Sequence, residues 1–188
     1  MHSLRSHFAS RVLRLLCALM LSGLAQRAMA VEGAYVMVGN GQDVNVYGVA
    51  LSWAPWATWP VAADWSLSLR GTAGVAYWDS RKGDSDKSLV AVSAYPILRL
   101  DTPPIGSIVP YLEASVGLNL LSRTQIGEHQ LSTAFQFGEF AGVGIAFGDN
   151  RQFDLGVRYQ HVSNADIKRP NDGLTYGSVV FQYRFGSR

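Results

Sequence analysis

The stretch Asp154-Leu155-Gly156-Val157-Arg158-Tyr159-Gln160-His161-Val162-Ser163 alternates between two kinds of side chain. Leu155, Val157, Tyr159, His161 and Ser163 share one parity, and Asp154, Gly156, Arg158 and Gln160 share the other. A β-strand sends successive side chains to opposite faces, so a period of two predicts a strand with one apolar and one polar face. The charges are all on the even face. The odd face is greasy, yet it ends in a histidine and a serine.

The same period recurs along the chain. Trp65, Leu67, Leu69, Gly71, Ala73, Val75 and Tyr77 alternate with Ser66, Ser68, Arg70, Thr72, Gly74 and Ala76. Leu112, Ala114, Val116, Leu118 and Leu120 alternate with Glu113, Ser115, Gly117 and Asn119, and Tyr47, Val49, Leu51 and Trp53 with Gly48, Ala50 and Ser52. Eight strands are predicted, over roughly 32–39, 44–54, 64–78, 87–99, 108–121, 131–147, 152–163 and 174–185. The first, fourth and sixth are the least cleanly patterned. Turn-rich segments separate them: Gly39-Asn40-Gly41, 79–86, 101–106, Gly148-Asp149-Asn150 and 164–173. There is no long amphipathic helix, no linker to a second domain and no clear sequence repeat.

The first thirty residues read differently. Arg5, Arg11 and Arg14 precede the uncharged apolar run Leu15–Ala25, and Ala28-Met29-Ala30 is a small-x-small cleavage site. This is the pattern of a secretory signal peptide cut after Ala30. A membrane helix is the weaker reading, because the run is about half the roughly 20 residues needed to span. The predicted domains are therefore residues 1–30, removed on export, and a single barrel domain over 31–188. Export changes the charge. The whole chain carries +2, but Arg5, Arg11, Arg14 and Arg27 leave, and twelve basic against fourteen acidic residues leave the mature chain at −2. The basic balance is thus no argument for a nucleic-acid partner. Cys17, the only cysteine, leaves as well. The mature protein has no disulfide or thiolate metal site, and stability must come from packing or from closing a sheet on itself.

Two architectures accommodate eight long antiparallel strands. A soluble lipocalin-like barrel has an apolar interior; a membrane barrel has an apolar exterior and a narrow polar lumen. The membrane form is favoured. The strands are long enough for a tilted crossing of about 9–11 residues. All five tryptophans fall between positions 53 and 78, near strand ends, where aromatic girdles sit. Gly142, Gly144 and Gly156 place small residues on the inner face. The predicted fold class is all-β, an eight-stranded antiparallel transmembrane β-barrel of the bacterial outer membrane.

On that fold the face carrying Leu155 and Val157 meets lipid, so His161 and Ser163 project outward at the bilayer rim. Two positions apart on one strand, their Cα atoms lie roughly 6–7 Å apart. An imidazole at that spacing reaches a hydroxyl and accepts its proton. The bland reading is a pair of interfacial polar residues at a strand end. Against it, polar groups at membrane depth tend to be functional.

The run His161-Val162-Ser163-Asn164-Ala165, followed by Lys168-Arg169-Pro170-Asn171-Asp172-Gly173, resembles the active-site segment of the lipid A 3-O-deacylase (PagL) family. Leu51-Ser52-Trp53, the stretch Val109–Gly117 and Gly142-Val143-Gly144 are similar to it as well. The resemblance implies a serine esterase of the outer membrane, hydrolysing the 3-O-linked acyl chain of lipid A in lipopolysaccharide. It assigns Ser163 as nucleophile and His161 as general base. Asn164 and backbone amides of its loop become oxyanion donors, and Asn171 either shapes the loop, binds substrate or is simply a turn former. The implied partners are lipopolysaccharide and outer-membrane lipids, with water as second substrate and no cofactor; a homo-oligomer is compatible with the pattern. Two positions depart from the family. Thr175 stands where the family has its triad glutamate, and Asp166 where it usually keeps a glycine. A threonine orients an imidazole but carries no charge. The sequence therefore leaves a slower dyad, an acid relocated to Asp166 or Asp172, or an inactive relative. His129 reads as a solvated loop residue, and the basic and acidic tip at 79–86 as solvated, with lipopolysaccharide phosphates as its other use. The rival functions are a non-enzymatic barrel serving structure, adhesion or resistance, and a soluble binder of an apolar ligand.

Overall fold

The computed structural model describes residues 30–83 and 87–185; apart from Ala30, the predicted export signal lies outside the described residues. Ten strands form: β1 (Val31–Gly41), β2 (Val44–Ala62), β3 (Trp65–Ser80), β4 (Ser88–Asp101), β5 (Val109–Leu121), β6 (Gln125–Ile126), β7 (His129–Gln130), β8 (Phe135–Phe147), β9 (Phe153–Ser163) and β10 (Leu174–Arg184). Eight close into a barrel in the order β1-β10-β9-β8-β5-β4-β3-β2, and β6-β7 is a separate small hairpin. Every ladder is antiparallel, and β1 closes on β10 from Gly33↔Arg184 to Asn40↔Gly177. The eight predicted strands are the eight staves, with two adjustments: β2 runs on to Ala62, past its predicted end at 54, with register shifts between Trp53 and Ala57 and between Pro60 and Ala62. The region predicted as 131–147 begins its strand only at Phe135, because the preceding residues belong to the loop that carries β6 and β7.

The wall is apolar outside. Val49, Leu51, Val75, Val92, Val116, Leu118, Val157 and Phe181 are all exposed, between 41 and 63 %. An exterior of this kind needs a hydrocarbon solvent, and the closed ladder pairs the strand backbone as a bilayer demands. This overturns the soluble-binder alternative, whose apolar face would point inward.

The lumen is filled in two stages. One end is stoppered by apolar side chains, among them Val44, Val46, Trp78, Leu89, Ile126, Leu131 and Tyr176. Trp78 is 1 % exposed and meets Tyr176 edge-on at 5.9 Å, so it belongs to this stopper and not to a girdle. Its even position in an odd-faced strand is the reason. The other four tryptophans, 53, 56, 59 and 65, flank the β2–β3 turn at the opposite end. The rest of the lumen is ionic. Arg158 Nε donates to Glu113 at 2.6 Å, Arg99 bridges Asp101 at 2.8 Å and Asp154 at 3.2 Å, and Arg70 meets Glu32 at 2.7 Å. The small inner residues make room for this filling. A Cβ on Gly144 or Gly156 would strike Tyr111, and one on Gly142 would press Arg158 and Glu113. A lumen so packed offers no passage, and chemistry is left to the outer wall and the loops.

The loops identify the two ends. Beside the strand ends near residues 31 and 184, the connections are 63–64, 102–108 and 148–152; at the stoppered end they are 42–43, 81–87, 122–134 and 164–173. Outer-membrane barrels keep short turns on the periplasmic side and long loops outside. The stoppered end, with His161 and Ser163, therefore faces the outer leaflet.

Removing one member of the buried Arg158–Glu113 pair should be costly. Glu113→Ala is expected to lower stability by about 3–5 kcal/mol, and Glu113→Met with Arg158→Met to recover most of the loss. Urea unfolding of the refolded barrel in lipid vesicles measures both.

Candidate active site

The site is assembled on the outward face of β9 where it runs into the loop at 164–173. His161 pairs with Thr175 of β10 on one side and with Glu139 of β8 on the other. Ser163 pairs with Phe137 of β8. Odd parity puts His161, Ser163, Thr175 and Glu139 on the wall that also shows Leu155, Val157 and Val179. His161 and Ser163 are half-buried there.

The imidazole is held at one nitrogen. His161 Nδ1 lies 2.8 Å from Thr175 Oγ1, which leaves Nε2 for proton transfer. Gly173 sits under the other edge of the ring. A Cβ added to it would lie 2.8 Å from His161 Cε1 and 3.2 Å from Nε2, and its φ of +65° is left-handed. The register Leu174↔Val162 and Thr175↔His161 puts Gly173 level with Ser163, so the Nε2 edge faces the serine end of the site. Among the described residues no hydrogen bond joins Ser163 Oγ to His161. Such bonds are commonly long in free enzymes and tighten on substrate.

The loop after Ser163 is fastened on every side. Asn164 is fully buried. Its Nδ2 donates to Leu131 O and Lys168 O, both at 2.8 Å, and its backbone N–H donates to Asn171 Oδ1 at 3.1 Å. Asn164 is thus a staple between two loops, and neither its side chain nor its amide is free to meet an oxyanion. The structure corrects the sequence reading here, for a simple reason: position 164 continues the inward parity of the strand. The amides of Ala165 and Asp166 donate no hydrogen bond among the described residues, and both residues are left-handed, at φ +53° and +60°. These two amides are free to donate to a ligand. A left-handed backbone at position 166 suits glycine best, and aspartate is among the few other residues that tolerate it.

Asp166 and Asp172 have other partners. The Asp166 carboxylate accepts from Arg169 at 3.0 Å and from Asn171 at 3.4 Å. Hydrogen bonds from Asn171 and then Arg169 hold it below the usual carboxylate range. A depressed carboxylate keeps its contacts above its unfolded pKa and loses them as pH falls through its folded value. Asp172 accepts from the Gln130 amide at 2.7 Å, and its own N–H donates to Gln130 O. Neither aspartate reaches His161. Asn171 ties the loop together, its Oδ1 accepting from the Asn164 amide and its Nδ2 donating to Asp166. His129 is more engaged than a solvated residue, since its Nε2 lies 3.0 Å from Gln42 O while the Gln42 side chain accepts from the Thr175 amide. At the 81–87 loop, Lys82 and Arg81 pair with Asp43.

Beside His161 the wall is hollowed. A depression of about 670 Å³ is lined by Leu98, Ala114, Val116 and Ala141, together with Glu139 and His161. Two other hollows on the same wall are lined by neither His161 nor Ser163. Glu139 was not singled out by the sequence reading. Its signal was there, as the only charge on the outward row Phe135, Phe137, Glu139, Ala141, Val143, Ile145.

Residues 45–184 match the family model for lipid A 3-O-deacylase (PagL). The chain belongs to the lipid A 3-O-deacylase (PagL) family. It is similar to the lipid A deacylase PagL of Pseudomonas aeruginosa, with 29 % identity over 82 % of this chain and 87 % of the relative. It is 34 % identical to that of Bordetella bronchiseptica over 63 % of this chain and 64 % of the relative. Among solved structures it is similar to the outer-membrane enzyme PagL, at a TM-score of 0.73 and 29 % identity, over 81 % of this chain and 99 % of the other. The barrel, its closure and its outer-membrane character agree with that match.

Gly173 gives a direct test of the site geometry. Gly173→Ala forces the ring of His161 aside, so its imidazole resonances should shift and deacylation should fall at least about 10-fold, because sub-ångström misplacement of a catalytic group is costly. Gly177→Ala, whose Cβ meets nothing within 4 Å, should leave both unchanged.

Proposed function

We propose that this PagL-family barrel hydrolyses the 3-O-linked acyl ester of lipid A, with Ser163 as nucleophile and His161 as general base. The observation that carries the reading is the placement of the pair. A hydroxyl and an imidazole fixed by its Nδ1 share the lipid-facing wall at the outer-leaflet rim, beside a hollow lined by apolar side chains. A substrate whose acyl chains already lie in that leaflet meets the pair without leaving the membrane.

The chemistry follows from the residues. Ser163 Oγ adds to the ester carbonyl carbon as its proton passes to His161 Nε2, and the carbonyl π electrons move onto oxygen. The amides of Ala165 and Asp166 receive that oxyanion. Collapse breaks the bond to the sugar oxygen, which takes the proton from His161 as it leaves. Water, deprotonated by the same imidazole, then attacks the acyl-serine; the acyl–Oγ bond breaks, Ser163 Oγ takes the proton back from His161, and the fatty acid leaves. Thr175 Oγ1 keeps the ring in place throughout by accepting a hydrogen bond from Nδ1–H. The small side chains Ala114 and Ala141 leave space along the wall for the acyl chain.

The experiment is mass spectrometry of lipid A from cells producing the native protein or Ser163→Ala. Loss of one 3-linked acyl chain with the native protein alone is expected. Identical lipid A in both strains would favour a non-enzymatic barrel.

A further inference from the structure

We propose that Glu139 supplies the negative charge that stabilises protonated His161, in the absence of a carboxylate at position 175. This rests on the Ser163–His161 reading above and adds a positioning residue to it. Three ladders place Val116, Glu139, His161 and Thr175 in one outward-facing row across β5, β8, β9 and β10. His161 is thereby bracketed. From β10 comes a hydroxyl that holds Nδ1, and from β8 a carboxylate.

The surroundings of Glu139 leave it no other use. Its side chain is exposed on a wall otherwise built for lipid, and among the described residues it forms neither an ion pair nor a hydrogen bond. The outward neighbours in the adjoining rows are Phe137, Ser163 and Leu118 on the loop side and Ala141, Tyr159 and Ala114 on the other. None of them is a cation. The one cross-strand neighbour able to become positive is His161, and both residues line the same hollow. Directly opposed residues of an antiparallel pair have Cβ atoms about 4.5–5.5 Å apart, within reach of a glutamate side chain. Lipid beside the site weakens screening, so a charge at that distance counts for more than in water.

The structure shows no ion pair between the two side chains. The attraction appears when His161 takes the proton of Ser163 Oγ, and disappears when that proton passes to the departing sugar oxygen. Glu139 stays ionised through both transfers and neither gains nor loses a proton. An interaction present only while charge develops acts on turnover and not on substrate affinity.

The test is a double-mutant cycle on the purified full-length mature barrel in detergent–lipid micelles with lipid A as substrate, reading kcat and KM separately. E139Q is expected to lower kcat about 10- to 100-fold with KM changed less than about twofold, well short of the roughly 10⁴-fold cost of losing a directly bonded triad acid. T175E puts a carboxylate on the other flank, and in that background the loss caused by E139Q should shrink at least about 10-fold. E139D, which keeps the charge, should retain clearly more kcat than E139Q, and this comparison stands even if T175E fails to fold. Equal losses from E139Q in both backgrounds, equal kcat for E139D and E139Q, or an effect confined to KM would overturn the proposal. Activity surviving in Ser163→Ala would instead overturn the serine–histidine reading itself.

Discussion

Everything in this molecule follows from the closure of β1 on β10. In a hydrocarbon solvent no strand can leave its N–H and C=O groups unpaired, so the sheet must end on itself. Once it does, each residue has only two destinations, the lumen or the lipid. The chain uses the first for ions and for a stopper around Trp78, and the second for aliphatic side chains. A filled lumen cannot conduct or hold a ligand. The functional surface is therefore the outside of the wall, and a polar residue found there calls for an explanation.

His161 and Ser163 are explained by that logic, and so is their chemistry. They share parity with Leu155 and Val157, so the strand that spans the bilayer also brings a hydroxyl and an imidazole, the proposed nucleophile and base, to the outer rim of the wall. The loop at 164–173 adds the rest. Asn164, inward and fully buried, ties this loop to the segment carrying β6 and β7, while the left-handed backbone at Ala165 and Asp166 leaves two amides without partners. Gly173 leaves room for the imidazole, and Thr175 fixes its Nδ1. The site is thus rigid, although its residues lie where a strand becomes a loop.

Much of this was legible in the sequence, because a period of two is a local property. The eight staves and the outward face of 155–163 depend on neighbours one or two positions away. The same parity rule, applied further, would have placed Trp78 in the lumen and the Asn164 side chain away from the oxyanion. What the sequence could not show was lateral. That Glu139 stands beside His161 depends on the register between β8 and β9, which are separated by a turn whose length does not reveal it. That Asp166 and Asp172 are occupied elsewhere depends on the docking of one loop against another. The short β6–β7 hairpin was hidden for a different reason: its four residues are too few to carry a period.

The central claim is that Ser163, on the lipid-facing wall, is an activated nucleophile. It is tested most directly by treating the folded barrel in micelles with a lipophilic fluorophosphonate and locating the adduct by peptide mass spectrometry. The account predicts one phosphonylated residue, Ser163, with labelling that collapses in His161→Ala. A folded barrel that takes no label, or takes it at another hydroxyl while Ser163 stays free, would contradict it.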